Sequence, residues 1–161
     1  MTWCRTLTIV FALIGAWFAV TGKPITRYMI LLAAVISAAW VMFYNYDYNS
    51  HDQIKIGRLN LMTWVAWTMG LLAVGMWWFY LGDMTDLSVL TRIAITGAMW
   101  FVAIIAIEWI GYNLMNIRLK SNYPGLFGMN LMHGPDYLKV YYLSAWAIYL
   151  FVLNLSYPIV G

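Results

Sequence analysis

Glu108 is the one carboxylate that lies inside an apolar run of this sequence, in the stretch AIIAIEWIGYN. Placing a carboxyl at membrane depth costs roughly 3 kcal/mol even on the lenient insertion scale, so such a residue is a ligand- or proton-binding candidate by default. Tyr112 follows one helical turn later and Asn113 beside it, and both could hydrogen-bond whatever Glu108 holds. The plainer alternative is a polar side chain that ties two helices together or snorkels to the membrane edge.

Two further stretches carry acid and imidazole groups. NYDYNSHDQIKIGR places Asp47, His51 and Asp52 within six positions, and HGPD places His133 three residues before Asp136. Carboxylate and imidazole are ordinary ligands of zinc, manganese or iron, so a divalent metal is the cofactor class these five residues would take. Their spacing matches no established metal motif. Read plainly, the first is a polar loop and the second a turn in which Pro135 fixes φ and Gly134 relieves the bend.

Other chemistries lack their residues. The sequence has no Gly-rich phosphate loop, no Walker pattern, no HExxH and no Ser–His–Asp grouping. Both histidines fall outside the apolar runs, so no bis-histidine haem fits inside a bundle, and no lysine is placed for a retinal Schiff base. The single cysteine, Cys4, can make no internal disulfide.

The elements that must position these residues follow from composition. Of 161 residues, 64% are apolar and only 9% charged, far from the roughly 25% charge of a soluble domain. That excludes a water-soluble globule and, equally, a disordered chain. A net charge of +3 from nine basic and six acidic residues is too sparse for a nucleic-acid surface. The expected fold class is an all-α integral membrane protein, one domain over 1–161, with about five transmembrane helices. The apolar runs cover roughly 6–22, 28–46, 61–82, 93–115 and 140–157, near the 17–25 residues a span needs. The first, with Arg5 ahead of it, has the outline of a signal peptide but is read as a helix.

With the N-terminus cytoplasmic, Arg5, Lys55, Arg58, Arg118, Lys120 and Lys139 fall inside and Lys23, Arg27 and Arg92 outside. Six against three predicts N-inside and C-outside, in a bacterial-type inner membrane. An offset of 60 residues aligns Gly15 with Gly75, Trp17 with Trp77, Gly22 with Gly82, Ala34 with Ala94, Ala38 with Ala98, and Trp40 with Trp100. This suggests two duplicated hairpins followed by a C-terminal helix. Small residues at Ala12, Gly15, Ala19 and Gly22, facing Ala33, Ala34, Ser37 and Ala38, predict a tight first hairpin.

Ten Trp, twelve Tyr and seven Phe make the chain rich in aromatics. Those near run ends, including Trp77, Tyr48 and Tyr142, read as interfacial anchors. Trp40, Trp64, Trp67, Trp100 and Trp146 lie deeper, where they either pack or line a pocket for a lipid, carotenoid or quinone. A loop over about 116–139 is long and apolar, through Leu126, Phe127, Met129, Leu131 and Met132. It should lie in the interface or fold back over the bundle.

Under this topology the two Asp/His loops share one membrane face with the Glu108 end of the fourth run, and could converge. Three functions fit. The leading one is a non-catalytic subunit of a larger membrane complex, docking through its helix faces and the 116–139 loop onto other membrane subunits or copies of itself. The second is a small proton-coupled transporter using Glu108. The last, a metal-dependent membrane enzyme acting on an apolar substrate, would use Asp47, His51, Asp52, His133 and Asp136.

Overall fold

A backbone in lipid has no water to satisfy its polar groups, which favours helices wherever the chain is apolar on every side. The computed structural model describes residues 3–84, 86–120, 123–129 and 131–156. It contains α1 (Trp3–Thr21), α2 (Pro24–Tyr44), α3 (Leu61–Met84), α4 (Val89–Asn113) and α5 (Asp136–Ser156). All five are long and apolar enough to cross a membrane. Position 157, the expected end of the fifth run, lies outside the described residues, as do 121, 122 and 130 of the long loop.

Helices α2, α4 and α5 each start four residues ahead of their apolar runs, because the chemistry of their first turns sets their starts. Pro24 opens α2 with its φ already helical. The Ser88 hydroxyl accepts from the Thr91 backbone N–H at 3.2 Å and starts α4 four residues ahead of Ile93. Asp136, in the first turn of α5, sits where the helix dipole favours negative charge. A short antiparallel hairpin, β1 (Lys55–Ile56) with β2 (Leu59–Asn60), was not expected. Gly57 turns it at φ +60°, a conformation only glycine adopts freely.

Helix α3 is the hub and touches all four others. The buried face of α2 runs Met29, Ala33, Ser37, Val41, one residue per turn. Gly75 of α3 lets that face and α5 close in, since a Cβ there would stand 2.8 Å from Met29 Sδ and 2.9 Å from the Tyr149 hydroxyl. Tyr149 donates to the Met29 carbonyl at 3.1 Å in the same place. Helix α2 meets α3 far more extensively than it meets α1 in the expected hairpin, and it meets α5 least of the three. On α1, Gly15 is buried near Met69 and Ile30, but Ala12 and Ala19 are exposed.

One end of the bundle carries the loops. The backbone N–H of Arg5 donates to Asp52 at 3.0 Å, tying the start of α1 to the 45–60 loop. That loop in turn meets the chain after α4. Asn49 N–H donates to the Arg118 carbonyl at 2.6 Å, Lys120 N–H to the Asp47 carbonyl at 2.9 Å, and Tyr48 bridges Leu119. The long loop folds back, burying Leu126, Leu131 and Met132 against the core with Leu138 of α5. Phe127 points away, 87% exposed.

Candidate functional site

Helix α4 carries Thr96, Trp100, Ile104, Glu108 and Tyr112 at a spacing of four, and all five line one cleft. At 1.5 Å per residue the strip is about 24 Å long. Facing it on α3 are Thr63, Trp67, Gly70, Val74 and Trp77, at alternating spacings of three and four. Leu7 and Phe11 of α1 form the other wall, Tyr142 reaches in from α5, and Tyr48, Leu119 and His133 close the loop end. The volume is about 560 Å³.

Small side chains make this space. Ala66, Gly70 and Ala73 of α3 and Ala103 and Gly111 of α4 stand where bulk would fill it. A Cβ at Gly111 would meet nothing within 4 Å. Ala73 and Ala103 are themselves exposed, so the cleft opens sideways between α1 and α4 at the depth of the apolar spans.

Among the described residues, Glu108 is the only charged group of the lining. The Tyr142 hydroxyl lies within hydrogen-bonding reach of its carboxyl, and Tyr46, fully buried, adjoins Tyr142. Tyr46 accepts from Trp40 Nε1 at 3.0 Å, and Trp100 Nε1 donates to the Tyr142 carbonyl at 2.7 Å. Trp67 packs at 5.9 Å from Trp100 and 5.0 Å from Tyr142, centroid to centroid. Rings thus fix the Tyr142 side chain, and its hydroxyl is what they present to Glu108.

The polar surroundings extend to the loops. Thr63 donates to the Tyr48 hydroxyl at 3.0 Å, and burial pushes that hydroxyl's pKa up. Behind Thr63, Asn60 is fully buried and holds Gln53 at 3.0 Å, which holds Asp47 at 3.0 Å. His133 stacks on Tyr112 at 4.0 Å with 13° between the rings, and the Arg118 guanidinium lies 4.4 Å over the same Tyr112 ring. Burial pushes the His133 imidazole below its ordinary pKa, and the charges of Arg118 and Lys139 add to that. Its Nδ1 is buried with no hydrogen-bond partner among the described residues.

The residues singled out from sequence divide. Glu108, Tyr112 and His133 come together in the cleft, whereas Asn113, exposed, donates to the Trp109 carbonyl at 3.0 Å. Asp47 is bound by Lys120 at 2.9 Å and Lys55 at 3.5 Å, and the Lys120 contact holds its carboxyl below the usual range. Asp52 takes a short hydrogen bond from Ser50, which also lowers its pKa, and the Arg5 backbone bond. Asp136 pairs with Lys139 at 3.1 Å, and His51 is exposed on a turn. The two loops meet through their backbones, yet among the described residues no three His, Cys, Asp or Glu side chains gather as metal ligands.

Tyr142, Trp77 and Tyr48, which read as interfacial anchors in the sequence, also line the cleft. The signal that would have found part of it is the spacing of four running back from Glu108 to Thr96. Comparison with protein-family models, with curated proteins and with solved structures finds no match to this chain.

Proposed function

We propose that this chain is a small integral membrane protein that takes a membrane-soluble molecule into the Glu108 cleft, a carrier in which the proton state of that carboxyl sets how tightly the molecule is held. One observation carries the reading: a sideways-open cleft of about 560 Å³, lined by apolar and aromatic groups, with a single charged residue in it among the described residues. Pockets of this size and character, with a few convergent polar groups, are where small molecules bind. A carrier also needs walls that can shift. The flanking helices α1 and α4 bury only three residues each, against ten in α3.

The orientation we propose is N-terminus inside, in a bacterial-type inner membrane. Two of the three cations at the far end have local work. Arg27 donates to the Gly22 and Val20 carbonyls at the end of α1, at 3.0 and 2.8 Å, and Arg92 donates to the Trp78 carbonyl at 2.8 Å. Cations near helix C-termini are favourable there whatever the topology. Discounting them leaves the loop end still more strongly basic. The offset-60 likeness supports a duplicated-hairpin origin in one respect: Trp40 stacks on Tyr141 at 3.6 Å, while Trp100 bonds the adjacent Tyr142.

The test is to fill the cleft. Protein purified from membranes should carry a bound lipophile in native mass spectrometry, and Ala103→Phe should remove it. An identical bound mass on both proteins would refute the reading.

A second reading, a subunit of a larger complex, is favoured by Phe127. A phenylalanine at φ 50° is strained, and its ring is exposed at the loop end. Phe127→Gly relieves the strain at little cost to the fold. On this reading it releases a stoichiometric co-purifying protein, and retention of that protein counts against it.

A further inference from the structure

Two hydrogen-bond donors at the far end of the cleft have nothing to bond. Thr96 lines the cleft and is 1% exposed, and its Oγ1 has no partner among the described residues. Trp77 lines the cleft as well, and its buried Nε1 is likewise without an acceptor among the described residues. A buried polar atom left unbonded is costly, and each one calls for an explanation.

The usual remedies are taken elsewhere in the bundle and not here. A helical threonine can turn its hydroxyl to the carbonyl four residues back. Thr8, Thr21 and Thr68 do so at 2.7, 2.8 and 2.8 Å, whereas Thr96 does not. The indole N–H groups of Trp40, Trp64, Trp100 and Trp146 each reach an oxygen, whereas that of Trp77 does not.

The two donors stand at one level of the bundle. One turn before Thr96, Arg92 donates to the Trp78 carbonyl at 2.8 Å and abuts Gly82. One turn after it, Trp100 packs on Trp67 and lies against Gly70. Thr96 therefore faces the stretch of α3 between, which holds Val74 and Trp77. The other cleft side chains of that stretch, Ala73, Val74 and Met99, carry no oxygen. Twelve residues of α4, about 18 Å, separate Thr96 from Glu108, so what answers these donors is not the group that meets the carboxyl.

The nearest charge is positive. The Arg92 guanidinium lies 4.2 Å over the Trp78 ring, and its buried Nε has no hydrogen-bond partner among the described residues. Asp83 and Asp86, near the α3–α4 turn, are exposed. An oxygen that accepts from an O–H and an N–H is favoured there as a neutral group, and a nearby guanidinium favours an anionic one too.

We infer that the far end of the cleft is a hydrogen-bond subsite, in which Thr96 Oγ1 and Trp77 Nε1 donate to an acceptor oxygen of the occupant, a carbonyl or a carboxylate. This rests on the carrier reading and names the chemistry of what is carried. Oxygen-bearing lipophiles are held at this level, and plain hydrocarbons are not.

The probe is 4-octylbenzophenone, whose ketone accepts hydrogen bonds and, on irradiation, inserts into neighbouring C–H bonds. It is added to the full chain in dodecyl maltoside micelles, which bring no carbonyl of their own, and adducts are mapped by mass spectrometry. Saturable labelling is expected on the turns of α3 and α4 that carry Trp77 and Thr96. It should fall about fivefold in Thr96→Val and in Trp77→Phe, on the order of one net hydrogen bond each. Thr96→Val keeps the side-chain shape and removes an unbonded hydroxyl, so the fold is not at risk. Unlabelled 2-dodecanone or dodecanoate at pH 7.5 should compete, and dodecane should not. The ketone competing better identifies a neutral carbonyl, and dodecanoate competing better identifies a carboxylate drawn by Arg92. Dodecane competing as well as either overturns the acceptor assignment. Labelling that Ala103→Phe abolishes but Thr96→Val leaves unchanged overturns the subsite and leaves the carrier reading intact. If nothing labels saturably, or if Ala103→Phe is labelled as the wild type is, both ideas fall.

Discussion

The bundle has two regions built on different terms. Helices α2, α3 and α5 pack as a solid trio, with Ala33, Leu71, Tyr149 and Leu153 wholly removed from the surroundings. Helices α1 and α4 stand on either side of α3 and leave the cleft between them. The same residue type does opposite work in the two. Gly75 permits close approach of Met29 and Tyr149, while Gly111 borders empty space. Close packing, not the hydrophobic effect, holds helices together in lipid, so the trio is the scaffold and the flanking pair forms walls.

The sharpest way to break this contrast is a methyl group at each glycine. Gly75→Ala drives a Cβ into the Met29 and Tyr149 contact and should cost about 1–3 kcal/mol, read by chemical unfolding in detergent micelles. Gly111→Ala should cost nothing measurable. Equal losses at the two sites would erase the distinction between scaffold and wall.

A smaller effect is expected where the wall begins. Ser88→Ala removes the hydroxyl that caps α4 and should cost about 1 kcal/mol, with hydrogen exchange rising first in the opening turn of α4. Protection falling first in α3 would show that the two regions unfold as one.

The loop end gives the smallest change. Asp47 is partly exposed, its side chain at 39%, so its pairs with Lys120 and Lys55 are worth under about 1 kcal/mol. Its carboxyl is held below the usual range in the folded chain. The folded state therefore takes up its proton later than the unfolded state does. The stabilisation is present above about pH 4 and is lost as pH falls through the folded value. Asp47→Asn should flatten that part of the stability profile and leave the lipophile of the cleft bound in native mass spectrometry. A variant that lost it as Ala103→Phe does would join the loop to the site.

Much of the fold is legible in one sequence because lipid removes choices. An apolar run of about twenty residues has nowhere to satisfy its backbone except within a helix, and five such runs gave five helices. The starts of α2, α4 and α5 were also written there, in Pro24, Ser88 and Asp136, but an apolarity criterion passes over polar caps. The β1–β2 hairpin escaped notice because two-residue strands carry no periodicity.

The site was half legible. Glu108 could be chosen from sequence because a carboxyl among apolar residues is costly, and cost of that kind marks function. Tyr142 could not, because a tyrosine near a run end looks the same whether it anchors at the headgroups or reaches inward to a carboxyl. Likewise Asp47, His51, Asp52, His133 and Asp136 have the chemistry of ligands, but spacing along a chain does not reveal that Lys120 lies beside Asp47, Lys139 beside Asp136, and Tyr112 against His133. The sequence by itself determined that the chain is helical, that it suits a membrane and that one carboxyl sits within a span, because these depend on composition over a window of residues. Only the tertiary structure decided that α1 and α4 leave a cleft, and that Glu108 faces it with Tyr142 and His133. Those are contacts between residues far apart in the chain, set by which small side chains let helices close and which leave them open.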